Sequence, residues 1–317
     1  QAEDGIRDFC LSRGLGDVYK RQLLYQRVMS QSLAVCVDMV VFIPVVKHYE
    51  NSADYTATWD LLRNTLHSVC AQTDDRFRVI VVCNKVLDDF SHDVSIRNTE
   101  FLEVDFPAPS HGIAHPGAEL PNLPLDAVRK DKGSKYVIGI LAAKKYTPTY
   151  VMPMDADDFL SNRLVSSVML QPTEPGGWVC ETSYIINISD MTLAKKTLKS
   201  TTHGSCMLHN FESLCFEGEG KYADWSGLST TSTKDDVLDK TDSWFLRRCL
   251  GGHNKIGELF RKRGIPHRPF DFPVSMYNVS HDENHSHAGS YEYSCDADLE
   301  YCGITQEITK EFNLRLK

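Results

Sequence analysis

Hydrophobic and polar positions along the chain change period several times, and each change marks an element. Met39–Val46 (MVVFIPVV) is a continuous, largely β-branched run, as expected of a strand buried on both faces, with Pro44 closing it and opening a loop. Trp59–Ala71 puts Leu62, Leu66, Val69 and Cys70 on one helical face. Arg78–Cys83 (RVIVVC) reads as a second buried strand and Glu100–Val104 as a third. A Pro/Gly-rich loop spanning Pro107–Pro124 carries His111 and His115. Helical spacing returns over Ser134–Lys145, and Tyr150–Met154 (YVMPM) is a strand running straight into Asp155. Strands alternating with helices predict an α/β fold with an open, mainly parallel central sheet and helices on both faces. Ligands of such sheets sit beyond the carboxyl ends of the strands, which is where Asn84 and Asp155 fall.

The second half is less regular. Trp178–Ile188 suggests a strand pair, Thr201–Gly220 is mixed, and Gly227–Lys240 is a Ser/Thr/Asp-rich loop. Asp242–Leu250 and Lys255–Arg263 read as helices broken by Gly251-Gly252, and no internal repeat is visible.

Composition narrows the function. The 317 residues are 42% hydrophobic and carry a net charge of −9, from 43 acidic against 34 basic side chains. This balance gives no basic field for a nucleic-acid backbone. The most apolar early run, Leu33–Val46, is interrupted by Asp38 and is too short for a transmembrane span. Residues 1–30 lack the order of a secretory signal. Ten cysteines fall singly, several inside apolar runs, as expected of reduced core thiols in a cytoplasmic protein.

The chemistry-bearing pattern is Asp155-Ala156-Asp157-Asp158. Like charges this close repel unless a cation is present, and Mg²⁺ or Mn²⁺ takes oxygen ligands while keeping room for a diphosphate. Strand alternation would send Asp155 and Asp157 to one side and leave Asp158 for a structural bond. The competing reading is a turn or helix N-cap, with Phe159 onward helical.

Two stretches, WDLLRNTLHSVCAQTDDRFRVIVVCNK and KGSKYVIGILAAKKYTPTYVMPMDADDFLSNRLV, resemble the opening βαβ segment and the donor site of family-two-like glycosyltransferases. The resemblance covers Val40–Arg163 well and extends more loosely to His287. It implies the GT-A fold and sugar transfer from a nucleoside-diphosphate donor to a glycan or lipid-linked acceptor, with inversion. It places Pro44 and its loop beside the base, and Asn84 facing the nucleoside where many relatives carry Asp. Asp131 and Lys132 would approach the donor, Asp155 would contact ribose or metal, and Asp157 the metal. A second metal arm would come from His285 or His281 in YNVSHDENHSHAG, which also contains His287. The base would be Asp242, which equally suits a helix cap, or His253. On this view residues 29–165 form the nucleotide-sugar half and 166–317 the acceptor half, at the cytoplasmic side of a membrane. Residues 1–28 are set apart, because Gln1–Gln22 resembles translated sequencing-adapter read-through. A non-catalytic nucleotide- or glycan-binding module and a nucleotidyltransferase stay open. The latter is disfavoured because residues 44–58 hold no glycine for a phosphate loop.

Overall fold

The computed structural model describes residues 39–87, 90, 96–109, 123–198, 204–214, 222–253, 255–279 and 299–315. The described residues belong to one compact unit. The strands are β1 (Val40–Val45), β2 (Phe77–Cys83), β3 (Thr99–Glu103), β4 (Tyr150–Asp155), β5 (Phe159–Leu160), β6 (Gly177–Val179), β7 (Thr182–Asn187), β8 (Thr192–Thr197), β9 (Met207–Asn210), β10 (Arg268–Pro269), β11 (Ser275–Asn278) and β12 (Leu299–Cys302). Seven of them form the main sheet in the order β3-β2-β1-β4-β9-β6-β10. The pairs β2/β3, β1/β2, β1/β4 and β6/β10 are parallel, while β9 runs antiparallel to both neighbours.

The apolar runs explain the middle of this sheet. Every residue of β1 is buried, and β2 is buried at all positions but Arg78. The chain leaves β1 through helix α1 (Tyr55–Val69), capped by the Asp54 carboxylate on the Thr56 and Ala57 amides. It returns from β3 to β4 through helix α2 (Leu123–Ala143). The two crossovers run in opposite directions from β1, so right-handed connections put α1 and α2 on opposite faces. The strand order therefore reverses between β1 and β4. Crevices at such reversals are where open α/β sheets receive ligands.

Five further strands form a second sheet, β12-β8-β7-β11-β5. It has its own small core of Phe159, Ile186, Leu193, Met276, Phe312 and Leu314. The β4–β5 connection consequently carries the chain from one sheet to the other, and the Asp155–Asp158 segment is that joint.

Four readings of the sequence need correction. Pro44 lies inside β1 opposite Met154; the strand continues to Val45, because a proline costs a strand only its donated hydrogen bond. Helix α2 begins at Leu123 rather than near Ser134, absorbing the end of the expected loop. Part of the Ser/Thr/Asp-rich stretch is helix α3 (Lys234–Lys240), which starts with a reciprocal capping box between Thr233 and Asp236. Phe159 and Leu160 form a strand rather than a helix. Among the described residues no helix is long and apolar enough to cross a membrane.

Helix α2 also packs against a π-helical segment, Phe245–Leu250, at a glycine contact. A Cβ on Gly133 would meet the Leu246 carbonyl oxygen at 2.4 Å. Gly133→Ala should therefore lower the unfolding free energy by about 1–3 kcal/mol, as overpacking does. Urea denaturation checks this, and an unchanged midpoint would mean that the two segments do not approach as described.

Candidate metal and nucleotide-sugar site

Parallel register sets Asp155 opposite Val45, so its carboxylate emerges at the carboxyl end of β4, beside the end of β1. The next residues turn, and strand alternation stops there. As a result the carboxylates of Asp155, Asp157 and Asp158 all converge, with ligand oxygens within 4.8 Å of one another. Asp155 and Asp157 are half-buried and Asp158 is buried.

The surroundings fix this geometry from both sheets. Ser205 Oγ accepts the Asp155 amide at 3.0 Å, and the Ser205 hydroxyl also hydrogen-bonds the Asp158 side chain. The Asn278 amide of β11 donates to Asp158 Oδ1 at 3.3 Å. Gly204 lies flat against the Asp155 carboxylate; a Cβ there would sit 2.3 Å from Oδ2. From α2, Lys132 forms an ion pair with Asp155, and one turn on, Tyr136 donates its hydroxyl to the Met154 carbonyl at 2.8 Å.

Electrostatics follow from crowding and burial. Burial first, and then the Asp157 and Asp155 charges, push the Asp158 carboxyl well above the usual carboxylate range, against the Ser205 and Asn278 hydrogen bonds. The same three carboxylates add to burial in raising the Tyr136 hydroxyl. Three hard oxygen donors in a partly desolvated cluster suit Mg²⁺ or Mn²⁺, whose charge would relieve this repulsion.

Other expected residues take different positions. Pro44 is buried in β1. Asn84 Nδ2 donates to the Val104 and Phe106 carbonyls at 3.0 Å each, so the side chain latches the exit of β3. Asp131 is buried between Lys135 (2.9 Å) and Lys234 (2.7 Å), while Lys135 also donates to the Val46 carbonyl at 3.0 Å. Burial opposes ionisation of Asp131, but the two ammonium groups outweigh it and hold the carboxyl below its usual range. This network ties α2 and α3 to the end of β1. Asp242 is exposed and accepts the Phe245 amide at 2.9 Å, the bond of an N-cap. His281, His285 and His287 lie outside the described residues, as do His111, His115 and residues 1–38.

His253 interacts with His209, a β9 residue opposite Val151, near the start of β4 rather than its acidic end. His209 Nδ1 and His267 Nε2 share a proton at 2.9 Å.

Sequence reasoning missed Gly204 and Ser205. They lie about fifty positions from Asp155, in a stretch without clear periodicity, and no local motif connects them.

No protein-family profile matches the chain, and no curated protein matches it. Solved structures that overlay on it include galactosyltransferase LgtC in complex with donor and acceptor sugar analogues, at 10% identity and a TM-score of 0.35, covering 80% of this chain and 92% of that one. They also include the apo form of the glycosyltransferase GlyE of Streptococcus pneumoniae TIGR4, at 8% identity and a TM-score of 0.34, covering 78% of this chain and 55% of that one.

The histidine pair gives a pH dependence with a defined sign. Burial, with the neighbouring His267 and His253, lowers His209 well below the ordinary imidazole value, and burial lowers His267 to about 4. The unfolded chain, at about 6.5, therefore takes up protons first as pH falls. Stability from the neutral pair is complete above about pH 6.5 and is lost toward pH 4, with a slope of at most about 1.4 kcal/mol per pH unit per histidine. Urea midpoints should fall between pH 7.5 and pH 5, and fall less in His267→Leu; equal slopes in parent and variant would remove the pair as the cause.

Proposed function

We propose that this chain is a metal-dependent glycosyltransferase that moves a sugar from a nucleoside-diphosphate donor to a hydroxyl acceptor. The observation that carries the reading is the convergence of Asp155, Asp157 and Asp158 at the carboxyl end of β4, where the strand order reverses and Lys132 already reaches the cluster.

Asp155 and Asp157 would hold the ion, with Asp158 anchored beneath them by Ser205 and Asn278. When bound, a divalent cation supplies Lewis-acid stabilisation of charge developing on the leaving diphosphate. Lys132, on a rigid helix, offers an ammonium at the same place, so its charge need not be reorganised during the reaction. Residues 29–165 would then bind the donor and residues 166–317 the acceptor. His285 or His281 would add the later metal arm, and Asp242 would take the acceptor proton. The chain offers no glycine between residues 44 and 58, so a phosphate loop of the nucleotidyltransferase kind has no support after β1.

The test is nucleoside-diphosphate release from a panel of UDP- and GDP-sugars, in Mn²⁺, Mg²⁺ or EDTA. Release should require metal and fall by about two orders of magnitude in Asp157→Ala. Release indifferent to both EDTA and the substitution would contradict the proposal.

A further inference from the structure

Beyond the acidic cluster, helix α2 and the π-helical segment bring three arginines together in a protein of net charge −9. Arg129 lies one turn before Lys132 on α2, and both lie on the same side of the helix. The turn after the π-helical segment is glycine because Arg129 occupies the space. A Cβ on Gly251 would meet the Arg129 carbonyl oxygen at 1.9 Å, and one on Gly252 would come within 3.4 Å of Arg129 Nε. Arg129 is therefore laid across residues 251–252, next to Arg247 and Arg248.

Charge compensation is incomplete. Arg247 pairs with Asp126 and donates to the Ser243 carbonyl at 3.1 Å. No hydrogen bond or ion pair from the guanidinium of Arg129 or Arg248 occurs among the described residues, although both residues are half-buried. Burial and the charges of Arg248 and Arg247 lower the Arg129 guanidinium, and Asp126 only partly offsets them. Guanidinium groups held together against their own repulsion suit a planar or tetrahedral oxyanion.

The position also matters. A crossover helix runs antiparallel to its strands, so α2 has its first turns beyond their carboxyl ends. Lys132 is level with the end of β4. Arg129 stands about 4.5 Å further out along the helix axis, on the side where ligands of such sheets lie. We infer that Arg129, Arg247 and Arg248 form an anion subsite that holds a phosphate or carboxylate group of the acceptor. This assignment of acceptor class rests on the transferase reading, whereas the existence of the subsite does not.

The experiment is calorimetric titration of the full chain in EDTA, without nucleotide, using inorganic phosphate, glucuronate and glucose as probes. Saturable binding of phosphate or glucuronate, weakened about ten-fold or more in Arg129→Gln and in Arg248→Gln, is the expected result. Tighter phosphate binding marks a phosphorylated acceptor, and tighter glucuronate binding marks a uronic acid. Thermal melts identify any variant that fails to fold, and the two substitutions then test the site independently. Binding that survives both substitutions, that disappears instead in Lys132→Gln, or that glucose reproduces would overturn the subsite. Because the titration uses neither donor nor metal, it gives the same answer whether or not nucleotide-sugar turnover is found.

Discussion

The structure depends on bringing three carboxylates together at the end of a buried strand. Mutual repulsion and desolvation both work against this arrangement. The fold opposes them with fixed hydrogen bonds to Ser205 and Asn278 and with the ammonium of Lys132. Such a cluster is costly for a protein to maintain in the absence of a counter-charge. Everything around it is arranged accordingly: Gly204 has no side chain to displace Asp155, and Tyr136 takes the Met154 carbonyl so that the strand end stays satisfied.

The site lies where two sheets meet. The main sheet supplies Asp155 through β4, the second sheet receives the chain at β5, and β11 reaches back through the Asn278 amide. A shift between the sheets would thus alter the spacing of the carboxylates directly. A second polar network, Asp131 with Lys135 and Lys234, fixes α3 against α2 and the end of β1. It sets two ammonium groups on one carboxylate, which distinguishes it physically from the acidic cluster, where carboxylates outnumber the cations among the described residues.

Much of this was legible in the sequence because periodicity reports burial. The continuous apolar runs of β1 and β2 and the alternation of strand and helix up to Asp155 predicted a mainly parallel sheet, and the strand ends located the acidic segment. Errors arose where local chemistry and tertiary context disagree. Pro44 looks like a stop, yet sheet pairing on both sides carries β1 through it. Asp158 was expected to point away, but the chain turns after Asp155 and gathers it into the cluster while also giving it the anticipated structural bond. The polar composition of Gly227–Lys240, which includes α3, resembled a loop, although a single capping box suffices to start a helix there. Ser205 and Gly204 were invisible because their role arises only from β9 lying next to β4.

The central claim is that the carboxylate cluster is a divalent-cation site, and the most direct measurement is anomalous X-ray scattering at the manganese edge from crystals soaked with Mn²⁺ and UDP. The account predicts one strong peak within coordinating distance of the Asp155 and Asp157 carboxylates, absent from Asp157→Ala crystals. A peak elsewhere in the molecule, or an acidic cluster without manganese at saturating metal, would contradict it.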